Sequence, residues 1–416
     1  MKNRILGIIL VMSFIGSGFN FLSMSPSYTV DLPTQQSEEI GPATTGPDDS
    51  PGNINPLTGL PVDNPENLKI PPALVSITNW PVSARPQAGL SYSPFVFELY
   101  IGEGMSRFLA MFYGEYPSDQ INNAPGNTPG AGSTGTGTDG DEVGIGPIRS
   151  GRLPYEHLRT FYNGFLVMAS AYKGVAANLG QTSNIFGSDS DDINSAMIGV
   201  HQLEDIAKAS QKELGDAALG GLVFDPVAPA GGSDGQTFWF IYNAFDMVKW
   251  QFDETAGAYN RYQDRADGVT FDLATDRLNG EALTYENVIL LFANHRYCTE
   301  TAFDVDLMYV NRAPALLFRD GKMYPIYWTT KNGEYERTTG KLRPIRFMDA
   351  NGDPFPLKPG QTWVHLAPLN TRYWESVDSD AIFDLLNKKE TGSGVWVSRF
   401  YSSLMVFDQG VCNALR

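Results

Sequence analysis

Two arginines in a glycine-bounded turn are the residues of this sequence whose chemistry is easiest to interpret. Arg149 and Arg152 lie in the segment IGPIRSGRLPYEHL, residues 145–158, just before a stretch that is typical of a helix starting at Pro154. The first N–H groups of a helix lack partners and carry partial positive charge, so cations placed beside them favour an anion. The turn therefore predicts a site for phosphate or carboxylate.

Four charged residues elsewhere in the first half of the chain bear on this site. Arg107 and Arg85 are expected to extend the pocket, because guanidinium groups pair phosphate or carboxylate through two parallel hydrogen bonds. The alternative is a structural role, in which the arginines pair internally with Glu98 and Glu103 and tie the first domain together. The sequence leaves both interpretations open.

An enzymatic alternative gives the same residues other roles. His157 follows Glu156 one turn into the helix, where it is either a general acid or base or an ordinary surface histidine. A transferase or hydrolase of phosphorylated or carboxylated cell-wall glycan precursors would use the arginines to stabilise charge, with Glu98 or Glu103 as base.

No recognisable catalytic or cofactor motif supports the enzymatic alternative. The sequence has no P-loop, dinucleotide-binding glycine loop or G-x-S-x-G nucleophile motif. The remaining histidines lack the spacing of zinc ligands, so neither a metal nor a cofactor is predicted. A binding protein is therefore favoured over an enzyme.

The elements that must position the arginines are predicted to form a mixed α/β domain over residues 55–224. A Pro- and Gly-rich segment, residues 225–235, marks its end. Apolar runs and helical spacing indicate strands at 73–80, 95–101, 107–113 and 165–169 and helices at 154–162 and 200–216.

The second domain, residues 236–416, is predicted to be mostly β, which makes the chain α+β overall. A helix is expected at about 379–388, with a late strand after it. The other candidate strands are 238–242, 258–262, 287–293, 304–310, 315–318, 323–328, 345–348 and 363–366.

Three further segments and two cysteines complete the organisation of the 416-residue chain. Residues 1–25 have the pattern of a signal sequence or membrane anchor, and residues 26–54 have that of a disordered linker. Residues 117–143, rich in Gly and Thr, are expected to be a mobile insertion. Cys298 and Cys412 are either one disulfide or two free thiols.

Charge restricts the partners that the chain can have. The formal net charge is −17, which repels nucleic acid and anionic membrane surfaces, so neither is expected as a general partner. Contact with a membrane is predicted only through the N-terminal segment, and the sequence does not fix the oligomeric state.

Several segments together resemble the YerB-like family of bacterial envelope proteins, a family of unknown function usually carried as lipoproteins. The resemblance rests on PLTGLPV, ARPQAGLS, ELYIGEGMSRFLAMF and IGPIRSGR in the first half, and on FMDANGDPFPLKPGQTWVHLAP near the end. Three departures are that no cysteine lies near the N-terminal segment to accept lipid, that the segment 117–143 is longer than usual, and that Gly151 stands where alanine is commoner.

The resemblance implies location more than activity. It implies an extracytoplasmic protein, either anchored through its N-terminus or secreted. Together with the arginine turn, it predicts a protein that binds a cell-wall or other anionic envelope component.

Overall fold

A computed structural model describes residues 51–117, 144–186 and 196–416. The predicted N-terminal segment 1–25, most of the predicted linker 26–54 and nearly all of the predicted insertion 117–143 lie outside the described residues. Within the described ranges, none of the helices is long and apolar enough to cross a membrane.

A large mixed sheet, here called the main sheet, contains strands from both halves of the chain. Its central strands are nearly continuous apolar runs, as expected for strands covered on both faces. Numbered in chain order, its described strands are β1 (Ala73–Thr78), β2 (Phe95–Gly102), β3 (Met105–Phe112), β4 (Gly144–Ile148), β5 (Phe165–Met168), β6 (Thr182–Asn184), β7 (Ala196–Gly199), β8 (Ser233–Asp234), β14 (Asn287–Ala293), β17 (Ala313–Arg319), β18 (Lys322–Thr329), β19 (Arg346–Met348) and β20 (Thr362–Pro368).

The pairing of β2 with β20 joins the two halves. The strand order is β19-β18-β17-β14-β20-β2-β3-β1-β4-β7, with β5 beside β1, β6 beside β5 and β8 beside β18. Strands β2 and β20 run parallel, in the register Phe95 to Thr362 and Glu98 to His365. The predicted boundary at 225–235 therefore does not separate two sheets.

A second sheet packs on one face of the main sheet. The ring of Phe238 stacks on Phe318 of β17, with 4.4 Å between centroids, and aromatic side chains fill much of this interface. The strands of the second sheet are β9 (Thr237–Asn243), β10 (Asp246–Asp253), β11 (Ala258–Asp264), β12 (Phe271–Leu273), β13 (Thr284–Tyr285), β21 (Tyr373–Glu375) and β22 (Val395–Arg399).

A small third sheet carries the disulfide. It consists of β15 (His295–Thr299), β16 (Ala302–Val305) and β23 (Val406–Phe407). Cys298 on β15 is bonded to Cys412 near the C-terminus, with 4.9 Å between the Cα atoms. Of the two states that the sequence left open, the structure therefore has the disulfide.

Helices are few, and one of them covers the other face of the main sheet. Tyr162, directly after the first helix, contacts the rings of Phe95 and Phe97 on β2. The described helices are α1 (Pro154–Phe161), α2 (Lys173–Ala176), α3 (Val200–Leu214), α4 (Glu334–Thr339), α5 (Ile382–Asn387) and α6 (Gln409–Ala414).

The predicted α+β fold, with a mixed first part and a mostly β second part, is confirmed. The strand expected at 304–310 was predicted wrongly, because strand structure there covers Ala302–Val305. The described strands that were not predicted are β4, β6, β7, β8, β10, β12, β13, β15, β21 and β23.

Candidate anion-binding site

The arginine turn lies at the point where two strands part. Along one side of β1, Ala73 to Val75 pair with β5, whereas Ile77 pairs with Ile148 of β4. The turn leaves β4 at this fork, and its backbone is bonded to both sides. Arg149 donates its N–H to the Ser76 carbonyl at 2.8 Å, and its own carbonyl accepts the N–H of Ala169 at 3.1 Å.

Gly151 keeps the turn close to the end of β5. Its N–H donates to the Ser170 carbonyl at 2.8 Å. A Cβ atom at this position would lie 2.5 Å from the Met168 sulfur and 2.8 Å from a methyl group of Leu179. Glycine at this position, where the family pattern has alanine more often, therefore allows Met168 and Leu179 to pack directly against the backbone of the turn.

The start of α1 contributes less to anion binding than the sequence predicted. Pro154 has no N–H, and the next two amides are already used: Tyr155 donates to the Arg152 carbonyl and Glu156 to the Leu153 carbonyl, both at 3.1 Å. The capacity to bind an anion therefore rests on guanidinium groups rather than on the helix terminus.

Arg107 joins Arg149 and Arg152 at the fork, as predicted. Arg107 is 4% exposed, and its Nη1 donates to the Ser150 carbonyl at 2.7 Å. Burial, together with repulsion from the guanidinium groups of Arg152 and Arg149, lowers the pKa of Arg107 to about 9. We call Arg107, Arg149 and Arg152 the arginine cluster.

The printed polar contacts of two members of the cluster, Arg107 and Arg152, are to backbone carbonyl groups rather than to acids. Among the described residues, no carboxylate lies within ion-pair distance of Arg107 or Arg152. The Nε atoms of both side chains are buried without a hydrogen-bond partner there. Arg152 donates from Nη1 to the Gly151 carbonyl at 3.0 Å, and burial, followed by repulsion from Arg149, lowers its pKa.

Tyr155 is a member of this site that the sequence analysis missed. It is fully buried, and its hydroxyl acts on both Arg107 and Arg152, favouring their charged forms. A signal was present, since Tyr155 follows Arg152 by three residues at the start of a helix, a spacing that places side chains on one face.

Glu98 does not belong to the cluster. In the pairing of β2 with β3, Glu98 lies opposite Phe108, and Leu99 lies opposite Arg107. Successive side chains of a strand point to opposite faces, so Glu98 and Arg107 lie on different sides of the main sheet. Glu98 can therefore neither pair with these arginines nor act as a base for a ligand bound to them.

Glu98 instead belongs to a buried polar network between the two large sheets. Its Oε2 lies 3.3 Å from Arg261 Nη2 and 3.5 Å from His365 Nδ1, and it accepts the indole N–H of Trp363 at 3.0 Å. Its Oε1 accepts the Ser106 hydroxyl at 2.7 Å. The charge of Glu98 is therefore balanced within this network.

Asp246 extends the same network and holds a proton more tightly than an ordinary aspartate. Its oxygens accept the N–H of Ser106 at 2.8 Å and the side-chain amides of Asn79 and Gln263, both at 3.3 Å. Burial, then the nearby charge of Glu98, raises the pKa of Asp246 to about 6.

The other predicted site residues also lie apart from the cluster. Arg85 stacks on Trp80 and donates to Asn79 and to the Asp264 carbonyl, on the side of the buried network. His157 forms an ion pair with Asp304 at 3.1 Å. Glu103 is exposed at the turn between β2 and β3.

Comparison with known proteins shows which family and which relative this chain is similar to. Residues 57–123 match the N-terminal domain, and residues 239–364 the C-terminal domain, of a family described as proteins of unknown function, DUF3048. The chain is 25% identical over 329 residues to the candidate lipoprotein YerB of Bacillus subtilis (strain 168), covering 75% of this chain and 86% of that protein. The chain is homologous to this YerB protein and similar to the DUF3048 family.

A solved structure supports the fold of this YerB-like chain. The crystal structure of the Bacillus subtilis YerB protein superposes with a TM-score of 0.56 at 22% identity, covering 76% of this chain and 96% of that one. The N-terminal match contains β2, and the C-terminal match ends at residue 364, within β20, the strand beside it in the main sheet. The family resemblance expected from the sequence is confirmed, and the function of the family is unknown.

Proposed function

We propose that this chain is an extracytoplasmic envelope protein that binds an anionic envelope component, through phosphate or carboxylate groups, at the arginine cluster. The location is supported by the pattern of residues 1–25 and by a relative named as a candidate lipoprotein. The binding role is carried by Arg107, a nearly buried cation that faces other guanidinium groups without a described carboxylate partner.

The energetics of Arg107 and Arg152 favour a ligand over a purely structural role. Burying a charge is costly unless the charge is paired, and like charges held together add to the cost. A structural role would require internal acids, and Glu98 lies across the main sheet from Arg107. A bound anion would supply the missing negative charge and would return the pKa of Arg107 towards its ordinary value.

The enzymatic alternative has less support than binding. Its two proposed bases do not adjoin the cluster, because Glu98 is paired with Arg261 on the opposite face and Glu103 lines a separate cavity. His157, the proposed acid or base, is engaged by Asp304. Binding needs only the guanidinium groups that the structure brings together.

Thermal unfolding with defined anions tests the proposal. Inorganic phosphate, glycerol 3-phosphate and glutarate, each at up to 20-fold excess over its Kd, should raise the Tm of the purified chain for at least one anion class. Arg152→Gln should weaken that ligand at least tenfold, since one charge-assisted contact is lost. Raising the salt concentration should weaken it as well.

A matched control and a second variant keep the result interpretable. Arg265→Gln removes an exposed arginine, 61% exposed and paired with Asp272, and should leave anion binding unchanged. Arg107→Lys keeps a charge but loses the fork, and should weaken binding with a smaller loss than Arg107→Met. Equal anion-induced Tm shifts in wild type and Arg152→Gln would contradict the proposal.

A further inference from the structure

A second candidate site lies where the three sheets meet, away from the arginine cluster. A cavity of about 320 Å³ opens between the β2–β3 turn, the ends of β9 and β22 and the β15–β16 turn. Its floor is aromatic: Phe400 is buried and stacks on Tyr100, with 4.3 Å between ring centroids, and lies 6.0 Å from Tyr242. Small ligands bind in concave, partly apolar sites of this kind.

The walls of the cavity carry charges of both signs. Glu103 and Glu300 are exposed carboxylates on its lining, and Arg399 is a half-buried guanidinium at the end of β22. The Arg399 guanidinium lies 5.4 Å from the ring of Tyr401, and its Nε is buried without a hydrogen-bond partner. Burial raises the pKa of Tyr100, and the charges of Glu300 and Glu103 raise it further. Both carboxylates therefore lie near the Tyr100 hydroxyl.

These charged groups do not neutralise one another. Across the described residues, no ion pair within 4.0 Å involves Glu103, Glu300 or Arg399, although the cavity brings them to a single opening. The lining therefore offers separate positions for a cation and for an anion. A ligand with both charges would satisfy them together, whereas a neutral sugar would leave them unpaired.

Glu103 has an energetically unfavourable backbone conformation. Glu103 has φ 53°, between Gly102 at 106° and Gly104 at 76°, so three successive residues occupy the left-handed region. That region is unfavourable for a residue with a side chain, by about 1 kcal/mol. A glycine would adopt this backbone conformation more readily, so the side chain at this position is present against local conformational preference.

We infer that this cavity binds a zwitterionic ligand, a free amino acid or short peptide, with its ammonium group between Glu103 and Glu300 and its carboxylate on Arg399. The cavity volume of about 320 Å³ is at the small end of the range for ligand sites, which suits an amino acid or dipeptide. The apolar part of the ligand rests on Tyr100 and Phe400. This site is independent of the arginine cluster.

Ligand-observed NMR provides the first test. Saturation transfer is measured from the purified full chain to a pool of the free amino acids with the dipeptides Ala-Ala and Gly-Phe, each at 1 mM. At least one member should receive saturation. Absence of transfer to every member of the pool would overturn the inference.

Charge deletion in the ligand and in the protein gives the second test. The N-acetyl and amide forms of the bound compound should each bind at least tenfold more weakly, because each lacks one charge. Arg399→Gln should weaken the zwitterion at least tenfold without affecting the amide form, which has no carboxylate to lose. Glu103→Gly should weaken binding at least tenfold while relieving the backbone, so the loss is not caused by misfolding.

The control variant Arg265→Gln should bind the zwitterion like the wild type. Equal affinity for the zwitterion and both blocked forms, or unchanged affinity in Arg399→Gln, would contradict the assignment. Neither outcome bears on phosphate or glutarate binding at the arginine cluster, so the two proposals fail separately.

Discussion

At the scale of single residues, the structure brings together three of the predicted arginines and places the predicted acids elsewhere. Arg149, Arg152 and Arg107 meet because the turn and β3 both adjoin β1. The sequence left open whether Glu98 pairs with these arginines, because the face it points to depends on the register of β2 with β3. That register shifts between Tyr100 and Gly102, and a shift of one residue exchanges the two faces.

The buried network gives a residue-scale prediction about pH. The pKa of Asp246 is raised to about 6 from an ordinary 3.8, so the folded state binds this proton more tightly than the unfolded chain does. Its stabilising contribution is complete at low pH and is lost as the pH rises through about 6. Asp246→Asn should therefore gain stability relative to wild type between pH 4 and pH 7.5, by roughly 3 kcal/mol.

Urea unfolding of both proteins at several pH values measures this difference. His295, whose pKa burial lowers to about 4, acts in the opposite direction, but it is present in both proteins and cancels in the comparison. The charged neighbours Glu98, Arg85 and Arg261 are present in both proteins. Burial, then the charge of Asp246, raises the pKa of Asp264 to about 6, so part of this shift should be lost in Asp246→Asn and add to the measured difference. A difference in unfolding free energy that stays constant with pH would show that Asp246 does not titrate in this way.

At the scale of elements, most strands and the two longest helices were predictable from their apolar patterns. Strand β10 escaped because Lys249, Gln251 and Asp253 interrupt its apolar residues at partly exposed positions and because its connection to β9 has no strong turn signal. The contacts that seat the β2–β3 turn were not predictable either, since they join residues far apart in the chain. Gly104 is one example, because it abuts Asn243 of the second sheet.

Two glycines with nearly the same φ angle allow the cost of an unfavourable backbone conformation to be measured apart from the cost of a steric contact. Gly104 has φ 76° and Gly280 has φ 74°, but a Cβ on Gly104 would lie 2.1 Å from Asn243 Nδ2, whereas one on Gly280 would meet nothing within 4 Å. Gly280→Ala should cost about 1 kcal/mol of unfolding free energy from the backbone alone. Gly104→Ala should cost about 1–3 kcal/mol more, because Asn243 must move.

Chemical denaturation of the two variants beside wild type gives both values. Equal destabilisation would mean that Asn243 yields freely and that the β2–β3 turn is loosely seated. The sequence alone would not distinguish the two positions, since both lie in turns rich in Gly and acidic or amide residues.

At the scale of the whole molecule, the sequence predicted two consecutive domains, and the composition of residues 225–235 supports a boundary there. The structure shows why such a boundary does not divide the core: β2 of the first half lies beside β20 of the second, and both belong to one hydrophobic cluster. A Pro- and Gly-rich composition indicates a loop. Strand order, by contrast, depends on pairing between residues far apart in the chain, which local patterns do not encode.

The shared sheet predicts that the described body unfolds as one unit. Far-ultraviolet circular dichroism and tryptophan fluorescence should give coincident urea transitions, because neither half keeps its central sheet without the other. The disulfide between Cys298 and Cys412 is kept intact during the measurement. Two separated transitions would instead support independent domains on either side of residues 225–235.

The neighbouring positions of β2 and β20 also have a consequence for the order of events during synthesis. Strand β2 emerges from the ribosome early, but the strand that covers its open side is made only when residues 362–368 appear. Until then the first half presents an unpaired apolar strand edge, the kind of surface on which chains associate wrongly. During synthesis, the exposed edge of β2 in the first quarter of the chain is therefore covered only when β20, in the last quarter, has been made.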